Sequence, residues 1–548
     1  MTDLNMRTYQ DNTSENGYYR YLTVDAESGY LFVGAMNAIH ALNLYNIESS
    51  SRRFKQEFNA TPLSVYQCKI QGKPEIPDCR NHVRLLVRNS SIPNTFYMCS
   101  TGAFHPMAYQ LKRRKTPRFQ ILKEDMENAV GICPYDPADN TTAVLVERGN
   151  PGGIPALYAG GVTDFIKADP IILRPDLYHL NRSLENDQGG RYVLKNVWTS
   201  FVKARLNCSI PGEYPYYFDE IQDVYLIGET FYGLFTTNIN GLTASAICAF
   251  TLSDMNKAFW GPFKGQETKK SNWLPIPESE VPDPRPGNCT VADTQQLSAQ
   301  AVNFISRSEL LMDQAVSHQY SRPLFYQGNC LLQKLAVVSN VSTNGDLVFY
   351  AASNTGLVYK IFSWPSKTPG EAPKSYVSTT YIPFDDVRPV WSMILQGQTL
   401  FLGTDQSVAQ MSVVTCDAYR KVDLCIYDPY CGWDVNTNEY LLHFADIDID
   451  TYGLDKAIQL RVGDLYKYEK VSKILGSSVT LKIDYKLHVP GLVSWKHNGT
   501  SLRTIAISWH KLAPSLLLNS VRLTREQKCS TCCQDSQISN VVPSIGEE

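Results

Sequence analysis

The sequence predicts an all-β protein: a β-propeller, then a small cysteine-rich module, then an immunoglobulin-like sandwich. Three observations predict it. A paired-strand theme recurs six times before residue 415, the turn-and-cysteine string DPYCGWD stands at 428–434, and a second β-rich stretch with a central Trp runs over 460–530.

The repeated theme is a β-run, a small residue, a short polar turn and a second β-run. It reads YLFVGAMNAIHALNL (30–44), TFYMCSTGAFHPMAYQL (95–111), ALYAGGVTDFIKADPIIL (156–173), FYGLFTTNINGLTASAICAFTL (231–252), LVFYAASNTGLVYKIF (347–362) and TLFLGTDQSVAQMSV (399–413). Apolar and polar residues alternate within each run, which is the period of a strand. Antiparallel units repeated at intervals of tens of residues are the signature of propeller blades, which bury their faces on their neighbours. Small residues align at Gly34, Gly102, Gly160, Thr236, Ala352 and Gly403. The interval from Thr236 to Ala352 is 116 residues, too long for a blade of roughly 40–50. The Pro-rich NWLPIPESEVPDPRPGNC (272–289) in its middle marks an insertion carried by one blade.

After about residue 415 the theme stops. In DPYCGWD, Asp428-Pro429 is turn chemistry, because Pro presets φ and Asp bonds its own backbone. A disulfide packed on Trp433 substitutes for the core that so short a module lacks. Further on, SSVTLKIDY, GLVSWKHNG and SLLLNSVRLT read as strands, and Trp495 in the second is the immunoglobulin arrangement. The expected divisions are a propeller at 1–414, the module at 415–445, the sandwich at 458–532 and a disordered polar tail at 533–548.

Charge is nearly balanced, with 51 basic and 54 acidic residues, so nothing at whole-chain level points to nucleic acid or an anionic membrane. No apolar run is long enough to cross a bilayer. The 14 cysteines are dispersed and form no zinc-type pairs, and the sequence holds nine N-x-S/T sequons: Asn12, Asn59, Asn89, Asn140, Asn181, Asn207, Asn288, Asn340 and Asn498. Together they indicate disulfides, glycosylation and an extracellular, secreted protein. The opening MTDLNMRTYQDNTSENG has no apolar leader, so the expectation is a mature or recombinant fragment, or a chain whose 5′ end is missing.

Catalytic signatures are absent from the sequence: no HExxH, GxSxG, Walker A or Rossmann glycine pattern. No cofactor or metal is expected and the chain is not read as an enzyme. His105, between Phe104 and Pro106, is read as packing in a turn. Asp219, Glu220 and Asp223 match no EF-hand loop and are read as a solvated or salt-bridged loop beside a strand. The string KRRKTPR (112–118) is the sharpest basic cluster and reads as an exposed hairpin loop. It admits two readings: Lys112, Arg113, Arg114, Lys115 and Arg118 attract a glycosaminoglycan such as heparan sulfate, or they only solubilise the loop.

These strings together resemble the semaphorin family, most nearly its secreted invertebrate type. GYLFVGAMNAIHALNL is similar to the family's first blade, CSTGAFHP to its second and YAGGVTDFIKADPII to its third. NDQGGRYVLKNVWTSFVKARLNCSIPGEYPYYFDEIQDVY (186–225) and DPYCGWD are similar to its most recognisable blocks. The resemblance implies a seven-bladed sema propeller, a plexin-semaphorin-integrin (PSI) module and an immunoglobulin-like domain. Between LRPDLYHL and NDQGG the family has a complete fourth blade, and most of it is missing here. An alternatively spliced product or a gene-model error accounts for that, as does a real variant.

The resemblance also implies disulfides: Cys68 with Cys79, Cys208 with Cys330, Cys248 and Cys289 inside that span, and Cys416 with Cys431. Where relatives have a second-blade cysteine this chain has Ala108, so Cys99 either pairs with Cys133, the preferred reading, or stays free. Cys425 and Cys529 have no evident partner. The implied function is that of an extracellular guidance ligand that binds a plexin-type receptor through its propeller, as a homodimer, in axon guidance, cell migration and morphogenesis. The alternatives are a plexin-like receptor ectodomain fragment and a truncated, non-signalling isoform. A propeller glycosidase is a more remote one, and it requires convergent carboxylates at the channel.

Overall fold

The computed structural model describes residues 6–434 except 12–16, 90–91, 115–117, 151–152, 165, 168–169, 179–183, 186–197, 199, 239–242, 269, 289–295, 342–344, 367–370 and 419–427. Beyond 434 it describes only strands, at 439–442, 457–458, 479–482, 491–497, 500–507, 515–518 and 543–546.

Six four-stranded antiparallel sheets make the blades, one for each recurrence of the sequence theme. The first holds Tyr21–Asp25, Tyr30–Ala35, Ala38–Asn43 and Phe54–Glu57. The second holds Val83–Asn89, Thr95–Ser100, Met107–Arg113 and Phe119–Asn128. The third holds Thr142–Val146, Ala156–Val162, Pro170–Arg174 and Leu184–Glu185. The fourth has Glu220–Ile227, Thr230–Thr236 and Ala244–Thr251, then Phe325–Gly328. The insertion lies between those last two strands and carries helices Leu252–Phe259 and Ala299–Ser308. The fifth has Leu332–Ser339, Leu347–Ser353, Val358–Trp364 and Lys374–Tyr381. The sixth has Ser392–Gln396, Thr399–Gly403 and Val408–Ser412, and its outer strand is Arg7–Tyr9 from the far end of the chain.

That outer strand completes the sixth blade with residues from the start of the chain. Arg7, Thr8 and Tyr9 pair with Gln410, Ala409 and Val408. Tyr9 is buried, and its hydroxyl lies 3.0 Å from His40 Nδ1 in the first blade. The aligned small residues lie in the last three positions of the second strand of each blade or just after it, and at two of them neighbouring backbone passes very close. A Cβ on Gly403 would stand 2.3 Å from the Tyr19 carbonyl oxygen. Gly102, at φ +56°, would place one 2.1 Å from the His105 carbonyl oxygen.

Strand alternation gives each blade two apolar faces, and five apolar cores fill the spaces between consecutive blades. Leu22, Val33 and Phe401 join the sixth blade to the first; Phe32, Leu86 and Phe119 join the first to the second. Leu85, Tyr97 and Leu157 join second to third; Ile247, Leu335 and Phe349 join fourth to fifth; Val348, Tyr350 and Leu400 join fifth to sixth. Among the described residues no such core joins the third blade to the fourth. Inner-strand residues that face the preceding blade are sealed elsewhere: Leu22 is 5% exposed, Leu86 0% and Leu335 4%. In the fourth blade, Val224 is 46% and Leu226 51% exposed, and Val144 of the third blade is 57% exposed.

Cys68 bonds Cys79, Cys99 bonds Cys133, and Cys416 bonds Cys431, with Cα separations of 5.6, 6.0 and 5.6 Å. One expected pairing is corrected: Cys208 bonds Cys248, at a Cα separation of 5.9 Å, and not Cys330. The reason is the period of the third strand of the fourth blade. It turns Ala246, Cys248 and Phe250 to the face where Cys208 packs, and Ile247 and Ala249 to the opposite face, where Cys330 packs. The sheet itself therefore separates Cys208 from Cys330. Cys330 is disulfide-bonded, and Cys289 lies outside the described residues.

Beyond the ring, Glu439–Leu442, Cys431–Asp434 and Ala457–Ile458 form a three-stranded sheet, so the module's pairing passes the expected limit of 445. Val479–Lys482 pairs with Ser515–Leu518, and Gly491–His497, which contains Trp495, pairs with Thr500–Ile507. The tail at 533–548 departs from the expected disorder: Pro543–Gly546 pairs with Leu492–Trp495. Ile545, β-branched, stands opposite Val493 in that pairing.

Candidate functional site

The surface that sets this chain apart lies between the third and fourth blades. Outward from the third blade, the Tyr158 ring stacks on Trp198 at 6.1 Å, and Trp198 stacks on Phe201 at 6.0 Å. The chain then returns over the open face of the fourth blade. Leu206, Cys208, Ile210 and Phe218 pack against Phe235, Cys248 and Phe250, and the Cys208–Cys248 bridge fixes them there. A hairpin of Ser209–Ile210 with Tyr216–Tyr217 follows. This layer covers the outer half of the sheet and leaves the inner strand, Glu220–Ile227, open to solvent.

The acidic edge beside it is committed to structure. Asp219 pairs with Arg205 at 2.9 Å. Asp223 accepts from the Leu335 backbone N–H at 2.9 Å and the Val224 N–H at 3.0 Å, and burial raises its pKa. Among the described residues no three His, Cys, Asp or Glu side chains are grouped to hold a metal ion. His105 is corrected from the expected packing: it is exposed in its turn, with its backbone N–H bonded to the Thr101 carbonyl at 2.9 Å.

The basic string does form a hairpin, between Met107–Arg113 and Phe119–Asn128 of the second blade. Its charges are not equivalent. Arg113 pairs with buried Asp25 at 3.2 Å and donates to Asn94 Oδ1 at 2.9 Å. Lys112, Arg114 and Arg118 are exposed; Arg114 donates to Gln120 Oε1 at 2.9 Å and Arg118 lies over the Phe54 ring at 5.1 Å. Lys115 lies outside the described residues.

The DPYCGWD turn is anchored in the ring. Tyr430 and Cys431 N–H groups return to Asp428, as the turn chemistry requires. The Asp428 carboxylate also receives the Lys360 ammonium, 2.7 Å from both oxygens, and neither side chain has any exposure. Lys360 further donates to the Val413 carbonyl at 2.9 Å and stands 4.6 Å above the Tyr430 ring, whose hydroxyl meets that of Tyr350 at 3.1 Å. Desolvation holds the Lys360 pKa below the usual lysine value, against the opposing pull of Asp428. Sequence reading missed this pair, since Lys360 looks like the outward residue of an alternating strand. Trp433 sits in the strand Cys431–Asp434, but the packing expected of its ring falls outside the described residues.

Of the sequons, Asn59, Asn140 and Asn340 are exposed, and Asn89, Asn207 and Asn288 are half-buried. Asn12, Asn181 and Asn498 lie outside the described residues. No helix among the described residues is long and apolar enough to cross a membrane.

A Sema domain family model matches residues 221–397, beginning at the inner strand of the fourth blade. The chain is similar to Semaphorin-2A of Schistocerca gregaria, at 36% identity over 495 residues, 77% of this chain and 69% of that protein. It is 34% identical to Semaphorin-2A of Drosophila melanogaster over 490 residues, 77% of this chain and 67% of that protein. Since 77% of 548 residues is about 422, about 73 of the 495 aligned positions have no residue here, enough for one blade and its connections. Among solved structures, Drosophila Semaphorin 2a superposes with a TM-score of 0.72 at 30% identity, covering 94% of both chains. Drosophila Plexin A in complex with Semaphorin 1b gives a TM-score of 0.67 at 27% identity, covering 84% of this chain and 96% of that one. With its blade order, its bridged returns and these relatives in agreement, the chain belongs to the semaphorin family.

Proposed function

We propose that this chain is an extracellular, secreted guidance ligand of semaphorin type, directed at a plexin-type receptor and acting as a homodimer rather than as an enzyme. Membership of the family carries this reading, and a related semaphorin solved with Plexin A supports the receptor class. Two receptor sites on one rigid dimer raise effective concentration without new contacts. The exposed hairpin cations offer a second, weaker partner, a sulfated glycosaminoglycan.

The open junction favours a reduced form of that function. The family resemblance places receptor contacts on loops of the third and fourth blades, and the blade relatives have at this position is absent here. The expected result is weak plexin binding, in keeping with a non-signalling isoform. Surface plasmon resonance against a plexin ectodomain tests it, comparing this chain with a chimaera that carries a relative's missing blade between residues 178 and 186. Tight binding by the chimaera alone supports the reading. Sub-micromolar binding by the unmodified chain overturns the reduced form, and no binding by either overturns the receptor assignment.

A further inference from the structure

We propose that the polyanion surface is composite: Arg52 of the first blade joins Lys112, Arg114 and Arg118 of the second to bind a sulfated polysaccharide across the junction of the two blades. This rests on the glycosaminoglycan reading above and goes past it, because a single basic loop no longer defines the site.

The two blades are bolted together beside Arg118. In the outer strand of the first blade, Phe54 and Gln56 point to the second blade. Gln56 Nε2 donates to the Phe119 carbonyl at 2.8 Å, and its Oε1 accepts from the Phe119 N–H at 2.8 Å. Arg118 covers the Phe54 ring on the same side. Arg52, two residues before Phe54, is exposed with its guanidinium 5.5 Å from the Tyr30 ring, and Tyr30 packs on the core shared by these blades. Lys55 has the same charge but the opposite direction: it pairs with Asp11 at 2.7 Å.

Local carboxylates do not neutralise the group. Glu27 takes Arg88 at 2.7 Å, and Asp25 takes Arg113 at 3.2 Å with Arg88 at 3.8 Å. Arg52, Lys112, Arg114 and Arg118 have no carboxylate within ion-pair distance among the described residues. A planar guanidinium can donate to two oxygens of a tetrahedral sulfate at once, and a chain of sulfates gains from cations held in fixed relative positions. Tyr30 and Phe54 are half-buried against the core of these blades and each carries a guanidinium, so neither is an open platform for stacking nucleic-acid bases, and a sulfated sugar is the fitting polymer.

The test is heparin chromatography and heparin binding by the full chain, with hyaluronan as the unsulfated probe. The chain is expected to stay on heparin above about 0.15 M salt and to ignore hyaluronan. Arg52→Ser and Arg118→Ser should each lower heparin affinity by about threefold to tenfold and the salt slope by about one. Lys55→Ser should change neither. Loss of retention at about 0.15 M salt by the unmodified chain overturns the glycosaminoglycan reading as a whole. Retention that survives Arg52→Ser unchanged overturns the composite site alone, as does an equal loss with Lys55→Ser, which would mean diffuse attraction.

Discussion

Leu22 and Leu226 hold the same station in two blades. Each lies on the inner strand and faces back toward the preceding blade, yet Leu22 is 5% exposed and Leu226 51%. The residue type is identical, so the difference belongs to the neighbour. Leu22 meets Phe401 and Val408 of the sixth blade, held in place by a strand from the start of the chain. Leu226 faces the third blade across a junction that no apolar core fills among the described residues. The contrast teaches that a three-residue strand can help seal one junction of the ring, while an unfilled junction can be met by covering the outer half of the exposed sheet with a disulfide-tied return.

The largest effect should come from breaking the closed side. Removing residues 1–10 strips the outer strand of the sixth blade and with it Tyr9, whose core contacts alone are worth about 3–5 kcal/mol. The expected outcome is loss of the cooperative melt by circular dichroism and of secreted yield; an unchanged melt would mean the ring does not depend on that strand. Next, Leu22→Ala should destabilise by about 2–5 kcal/mol in urea unfolding, as large-to-small changes in cores do. Leu226→Ala should stay within about 0.5 kcal/mol, as surface changes do. Equal losses at the two positions would show that the third and fourth blades do meet in solution.

A further effect, spread over a pH range rather than set by one substitution, is a pH dependence carried on the closed side. Burial lowers the His40 pKa from 6.5 to about 4. Because the folded-state value is the lower one, the unfolded chain binds the proton first as pH falls. The stabilisation is therefore complete above about pH 6.5 and is lost progressively on acidification toward pH 4, by at most about 3 kcal/mol. His82, lowered to about 4 by the same cause, adds to it. Melting temperatures measured from pH 7 to pH 4 should fall, and His40→Gln should flatten that fall in part. A variant with an unchanged slope would remove His40 from the account.

The blades were legible because alternation over each pair of runs is a local signal, and the small residues marked where backbones crowd. The short Arg7–Tyr9 strand carries no pattern of its own; only its partner, some 400 positions away, makes it a strand. The Cys208 partner was misread because a likeness between families transfers positions and not the face to which each sulfur points. The basic hairpin was legible as a string, but which of its charges are spent depends on Asp25, which is distant in sequence. Lys360 was hidden for the opposite reason: a cation in an apolar strand reads as solvent-facing until a carboxylate from another module is folded over it.

That sealed contact has a mechanical consequence. An ion pair without water around it resists shear as a rivet does, so tension applied through the carboxyl-terminal end reaches the fifth blade before it can swing the turn that holds Asp428. Because Lys360 also donates to the Val413 carbonyl, load entering at that turn is shared between the fifth blade and the chain just past the last strand of the sixth.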